Sequence, residues 1–136
     1  MRADPPEGFE IRFSSPFGDH IGPFYEGVGD PPGELRVGLF VRPENLNSLS
    51  MLHGGMYAAL ADYAMGRSAI LAAGRRCVTS KLTVEYLDAA KEGDWLVAHT
   101  RLVRAGNALA FANCDMKVGD ALKATASGVF RLLRIT

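Results

Sequence analysis

Between residues 78 and 133 the chain alternates apolar and polar positions with few breaks, the two-residue period of strands that bury one face. In the first run Val78, Leu82, Val84 and Tyr86 share a side opposite Thr79, Lys81, Thr83 and Glu85. A second run, residues 95–104, sets Leu96, Ala98, Thr100 and Leu102 together. Ala105-Gly106-Asn107 turns the chain into a third run at 109–118, and Gly119-Asp120 is a tight hairpin signal into a fourth at 122–133. Upstream, Leu35, Val37, Leu39 and Val41 alternate with Glu34, Arg36 and Arg42 in one more strand, which Pro43 ends. The period changes in residues 51–73, a small-residue stretch apolar nearly all round, which predicts a buried helix stopping near Gly74. Residues 44–52 read as the loop that feeds it. Ser15-Pro16 caps a short helix through about Ile21 that Gly22-Pro23 closes, and residues 27–33 read as a loop. One strand, one buried helix and then four strands predict an α+β architecture, a curled antiparallel sheet of five to six strands wrapped round one long central helix.

Length and charge narrow the classes. The 136 residues predict a single domain, with 1–33 as an N-terminal loop and short helix and 34–136 as the core. Fifteen basic and fifteen acidic residues balance, so neither nucleic acid nor a membrane surface is an expected partner. The first residues lack the apolar core of a signal peptide and no apolar run reaches membrane length, so a cytoplasmic protein is expected. Cys77 and Cys114 read as small apolar strand residues, and no histidine or cysteine spacing suggests a metal site. Met56, Tyr57, Met65 and Phe111 read as core, with lining of an acyl tunnel by one or two of them as the alternative.

The candidate chemistry sits at the start of the long helix, in His53-Gly54-Gly55 followed by a lone acid, Asp62. Glycines just inside a helix start bare N–H groups that no intrahelical carbonyl reaches. With the positive end of the helix dipole, these donors suit a carbonyl oxygen that becomes negative during acyl transfer. Asp62 is the candidate base or nucleophile. Its helical neighbours Ala58, Ala59, Met65 and Gly66 cannot pair with it, and an unpaired acid on a buried helix is costly. His53 reads as a structural or substrate-contacting group rather than the base, and Arg75-Arg76 as a solvated pair, with a role in holding nucleotide phosphates as the alternative.

The pattern Asn47, His53-Gly54-Gly55, Asp62 resembles the signature of hotdog-fold acyl-CoA thioesterases, in the phenylacetate-pathway-type branch of the 4-hydroxybenzoyl-CoA thioesterase superfamily. Further likeness runs through residues 86–94, the turn at Gly106, Ser15-Pro16-Phe17 and Ile21-Gly22-Pro23, and so covers nearly the whole chain. The resemblance implies that Gly54 donates its N–H to the thioester carbonyl while Asp62 activates water or attacks directly. It implies that Asn47 positions water or the acyl group, and that Thr79 assists Asp62. Coenzyme A contacts are implied near His53 and Gly55, along Tyr86, Asp88 and Lys91, and at Arg104, Gly106 and Asn107. Coenzyme A enters as part of the substrate, with no separate cofactor. Three positions depart from the family's pattern: Ser50 stands where glycine is common, Asp88 where arginine is frequent, and Asn107 where a basic residue is common. A non-catalytic acyl-CoA binder and a hotdog hydratase or dehydratase are the alternative functions.

Helix geometry adds a constraint. Eight residues separate Gly54 from Asp62, about 12 Å along an α-helix. Reacting groups must approach to roughly 3–3.5 Å, so one helix cannot both hold the carbonyl and attack it. A second copy packed antiparallel brings one chain's Asp62 to the other's Gly54, with small residues at Ala58, Ala59 and Ala61 allowing close approach. An obligate homodimer is therefore expected. A dimer of dimers, a homotetramer, is a further expectation beside the dimer alone, and helix geometry does not carry it.

Overall fold

A computed structural model describes residues 4–12 and 15–134. Its strands are β1 (Phe9–Ile11), β2 (Tyr25–Gly27), β3 (Arg36–Phe40), β4 (Cys77–Tyr86), β5 (Trp95–Ala105), β6 (Leu109–Val118) and β7 (Ala121–Leu132). The helices are α1 (Pro16–Ile21) and α2 (Gly54–Ala73). Among the described residues all seven strands form one antiparallel sheet in the order β1-β2-β3-β5-β6-β7-β4, curled round α2. This is the expected architecture with more strands than predicted. The extra two come from the segment read as loop and short helix, because three-residue strands are too short to show a period.

What ties those short strands down is aromatic. Phe9 meets Trp95 edge-on at 5.2 Å, and Phe40 and Tyr25 pack on the same indole. Gly38 makes room for it, since a Cβ there would lie 2.2 Å from the Trp95 ring. The short helix is as predicted: the Ser15 hydroxyl accepts from the Gly18 N–H at 2.9 Å and Pro16 opens the first turn. The long helix ends on Gly74 in the left-handed conformation (φ +68°) that glycine adopts without strain.

Alternation holds on β3 and β6 and along most of β5 and β7, which carry extra residues at Val103 and Lys123. Leu35, Val37, Leu39 and Val41 are buried, and so are Ala124, Ala126, Gly128, Phe130 and Leu132. Against them α2 lays Leu60, Ala61, Ala64, Met65 and Ala69, all fully buried. Shielding Leu60 and Met65 from water contributes roughly 1.5–3 kcal/mol each. Thr100 is buried on this inner face because its hydroxyl donates to the Leu35 carbonyl at 2.6 Å and meets Ser68 at 3.1 Å. Cys114 is buried in the core and Cys77 half-buried, both free.

Three expectations need correcting. The helix is not buried all round within the chain: Ala58, Ala59, Asp62, Tyr63, Gly66 and Arg67 are half-exposed, and Leu71 is 40% exposed. Phe111 is not core; it faces outward from β6, 38% exposed. On β4 the two faces do not run as alternation dictates. Thr79 pairs with Phe130 and Lys81 with Val129, leaving Ser80 as the extra residue of a β-bulge. Cys77 and Thr79 therefore join Leu82, Val84 and Tyr86 on the helix side, while Val78 faces outward, 50% exposed.

Candidate active site

The helix start is built by the loop before it. Leu46 and Leu52 form an isolated antiparallel bridge, and the Leu52 N–H donates to the Ala90 carbonyl at 2.9 Å. Inside this loop the Asn47 carboxamide oxygen accepts from the N–H groups of Leu49 (2.9 Å) and Met51 (3.1 Å). Ser50 has φ +59°, the left-handed region that favours glycine, which gives the family's preference there a backbone cause. Asn45, absent from the sequence reading, holds the loop from below: its carbonyl accepts from the His53 N–H at 2.9 Å, and its buried side chain donates to the Ile21 carbonyl at 3.0 Å. A lone polar residue in a loop gives no sequence signal for that.

His53 caps α2. Its Nδ1 accepts from the Gly55 N–H at 2.8 Å, so Nε2 carries the ring proton and the nitrogen facing the helix is already engaged. The Met56 N–H is taken by the His53 carbonyl at 2.9 Å. That leaves the Gly54 N–H without a partner among the described residues, at the positive end of a 20-residue helix. Tyr86 braces the same residue by donating its hydroxyl to the Gly54 carbonyl at 2.8 Å. Tyr57, packed edge-on to Tyr86, accepts from the Ala90 N–H and donates to the Asp88 carbonyl.

Asp62 lies two turns along α2, and the structure supplies the partner the helix could not. Thr79 donates its hydroxyl to the Asp62 carboxylate at 2.5 Å. The bulge at Ser80 is what allows this side chain to share a face with Leu82 and Val84. Both residues line a cleft of about 500 Å³ between α2, the start of β4 and Arg12 and Ser15 of the N-terminal segment. Cys77 lines it too, but burial and the charge of Asp62 push its thiol up, away from the thiolate form. Deeper in, Glu26 is 7% exposed and accepts from the Tyr63 hydroxyl and from Arg67 Nε at 3.2 Å. Burial and the adjacent Glu26 carboxylate raise Tyr63 well above the ordinary tyrosine range, so it stays a donor.

The remaining predicted contacts separate into two groups. Tyr86, Asp88 and Lys91 stand near the N-terminal end of α2. Asp88 is held below the usual carboxylate range by the Ala89 N–H and by Lys123, whose ammonium lies 3.1 Å away. Arg104, Gly106 and Asn107 stand exposed near the other end, where Arg75 donates to the Asn107 carbonyl at 2.7 Å. Arg75 also donates to the Leu133 carbonyl at 2.9 Å, so it is a structural clamp as well as a surface charge. One chain thus brings Asp62 to Thr79 and Gly54 to Tyr86, but not the first pair to the second. Among the described residues no helix is long and apolar enough to cross a membrane, and no three His, Cys, Asp or Glu side chains gather where a metal ion could be held.

The description "Thioesterase superfamily" fits the family model that matches residues 49–125, from the loop before His53 into β7. A Pseudomonas aeruginosa protein named "Putative esterase" is 38% identical over 132 residues, 93% of this chain and 96% of that protein. Mouse acyl-coenzyme A thioesterase 13 is 27% identical across 90% of this chain and 88% of its own length. The solved structure of the E. coli PaaI protein, from the phenylacetic acid degradation operon, superimposes with a TM-score of 0.81. At 21% identity over 90% of this chain and 87% of that one, it shows the shared fold. With a cleft that sets a carboxylate beside a hydroxyl, and a helix start that leaves one N–H open, the chain belongs to the thioesterase superfamily and is a thioester hydrolase of the hotdog fold.

Proposed function

We propose that the protein hydrolyses an acyl- or aryl-coenzyme A thioester to the free acid and coenzyme A, in a site completed by two copies of the chain. The observation that carries this reading is the division of labour along α2. The unpartnered Gly54 N–H and the Thr79-bonded Asp62 carboxylate are the parts acyl transfer needs, and they stand about 12 Å apart on one rigid helix. An antiparallel partner helix would supply the missing half of each site. The half-exposed stripe of Ala58, Ala59 and Asp62 gives it a surface without bulky side chains. So does β4, a ten-residue edge strand paired with β7 on one side and unpaired on the other among the described residues. An exposed edge of that length is a ready template for a second copy. The same arrangement would unite Tyr86, Asp88 and Lys91 of one chain with Arg104, Gly106 and Asn107 of the other in a single coenzyme A path. Pairing of two such dimers into a homotetramer belongs to the same reading.

In this site the thioester carbonyl oxygen accepts from Gly54, whose N–H gains strength as the oxygen becomes negative. Asp62, oriented by Thr79, takes a proton from water as the water oxygen attacks the carbonyl carbon, or attacks that carbon itself to form a mixed anhydride that water then hydrolyses to the free acid. The carbon–sulfur bond breaks as the tetrahedral intermediate collapses, and the departing thiolate takes up a proton that the consumed water supplies, so coenzyme A leaves as its thiol. Asn47 keeps the loop shape that presents His53 and Gly54, with its amide nitrogen turned to water or the acyl oxygen. A carboxylate and a backbone donor supply both the base and the oxyanion contact, so the reading calls for no metal or further cofactor, and its setting is cytoplasmic. Equal amounts of free thiol and free acid should appear from an acyl-coenzyme A, and activity should survive chelation. Release of a hydrated acyl-coenzyme A with its thioester intact would assign the fold to the hydratase class instead.

A further inference from the structure

The cleft beside Asp62 carries more positive charge than its own chain neutralises. Three guanidinium groups line it, those of Arg12, Arg67 and Arg76. Buried Glu26 serves two of them, 3.2 Å from Arg67 and 3.8 Å from Arg12. The Arg76 guanidinium has neither a hydrogen bond nor an ion pair among the described residues. Asp62 itself is engaged by Thr79 and pairs with none of the three. Ile70 and Phe130 add apolar surface to the same lining. Gly66 keeps that stretch open: one turn beyond Asp62, a Cβ there would lie 3.3 Å from the Phe130 ring.

We propose that this cleft takes an acyl group whose far end carries a carboxylate, bound by Arg76 and Arg12 while the chain between passes Gly66 and Phe130. The inference rests on the thioester hydrolase reading and names its substrate class. An excess of one sign of charge in a cleft concentrates the opposite sign, and a guanidinium fork matches a carboxylate with two parallel hydrogen bonds. Glu26 and Tyr63 act as positioning groups that hold Arg67 in the wall. The phosphates of coenzyme A are the other anions in such a substrate. Two ligands that share those phosphates and differ only at the acyl end separate this source of negative charge from an acyl carboxylate.

Two non-hydrolysable thioethers of equal length, S-hexyl-coenzyme A and S-(5-carboxypentyl)-coenzyme A, test this by calorimetric titration. The wild-type protein should bind the carboxylated compound at least about tenfold more tightly, the factor a charge-assisted pair supplies. Arg76→Gln and Arg12→Gln should each reduce that ratio, and Arg76→Lys should restore part of it. Equal binding of both thioethers by the wild type overturns the proposal. So does an Arg76→Gln loss that is the same for both, which would place Arg76 on the phosphates. Turnover of adipoyl- against hexanoyl-coenzyme A separates the two readings: a preserved binding ratio with no thiol release from either would remove hydrolysis and leave the cleft's selectivity standing.

Discussion

Asp62 and Thr79 form the contact on which the chemistry turns. Removing the charge with Asp62→Asn keeps the side chain's size and its acceptor oxygen, so the fold should persist while hydrolysis falls at least ~10²-fold, the contribution of a positioned acid–base group. Thiol release from an acyl-coenzyme A measures it, and near wild-type turnover would take Asp62 out of the mechanism. Thr79→Val deletes the hydroxyl that reaches Asp62 at 2.5 Å but leaves the carboxylate, so the loss should be smaller than for Asp62→Asn. Ser50 tests the backbone alone. Its φ of +59° costs a residue with a Cβ about 1 kcal/mol, so Ser50→Gly should raise stability to denaturant by several tenths of that or more. A lowered denaturation midpoint would mean that the serine side chain holds the loop.

The start of α2 and the middle of β4 are each shaped by one irregularity. His53 caps the helix through Nδ1 rather than through the oxygen of the usual capping residues. His53→Ala should therefore cost about 1 kcal/mol, read from chemical denaturation at fixed protein concentration. Because the cap engages Gly55 and leaves Gly54 free, the same variant should lose less activity than Asp62→Asn. A loss as large as that of Asp62→Asn would give His53 a direct part in the chemistry. In β4 the extra residue Ser80 sets Thr79 and Lys81 on opposite faces although they are two apart in sequence. Strict alternation places Thr79 with Lys81 and Val78 with the core, and the bulge reverses both. Nothing in the residues near Ser80 marks the insertion, since it is defined only by the pairing with Val129 and Phe130 of β7.

For the whole molecule, the question is which chain supplies which half of a site. An Asp62→Asn chain and a Gly54→Pro chain, each inactive alone, should complement when mixed and reassembled. Proline suits the position: it opens α2, its N–H has no partner among the described residues, and His53 before it is already extended at φ −62°, ψ 137°. The mixed dimer carries both defects in one site and none in the other. Random reassortment should restore roughly a quarter of wild-type activity. No recovery from demonstrated heterodimers of folded parents would return both residues to one site within a chain.

Read alone, the residues carry whatever depends on local period and turn chemistry. The long helix and its glycine stop, the cap at Ser15, four of the long strands and the hairpin at Gly119 follow from patterns that each span several side chains. His53-Gly54-Gly55 and Asp62 are legible for the same reason: glycines at a helix start and an acid among alanines stand out in the chain itself. What tertiary structure alone decides is set by partners distant in sequence. The two short N-terminal strands exist because Trp95 gathers Phe9, Tyr25 and Phe40, not because three residues can show alternation. Thr79 reaches Asp62 because β7 forces a bulge on β4, and Glu26 becomes a buried anchor because α2 brings Tyr63 and Arg67 to it. Such contacts join residues tens of positions apart, and a one-dimensional pattern contains no record of which distant side chains the folded sheet will set face to face.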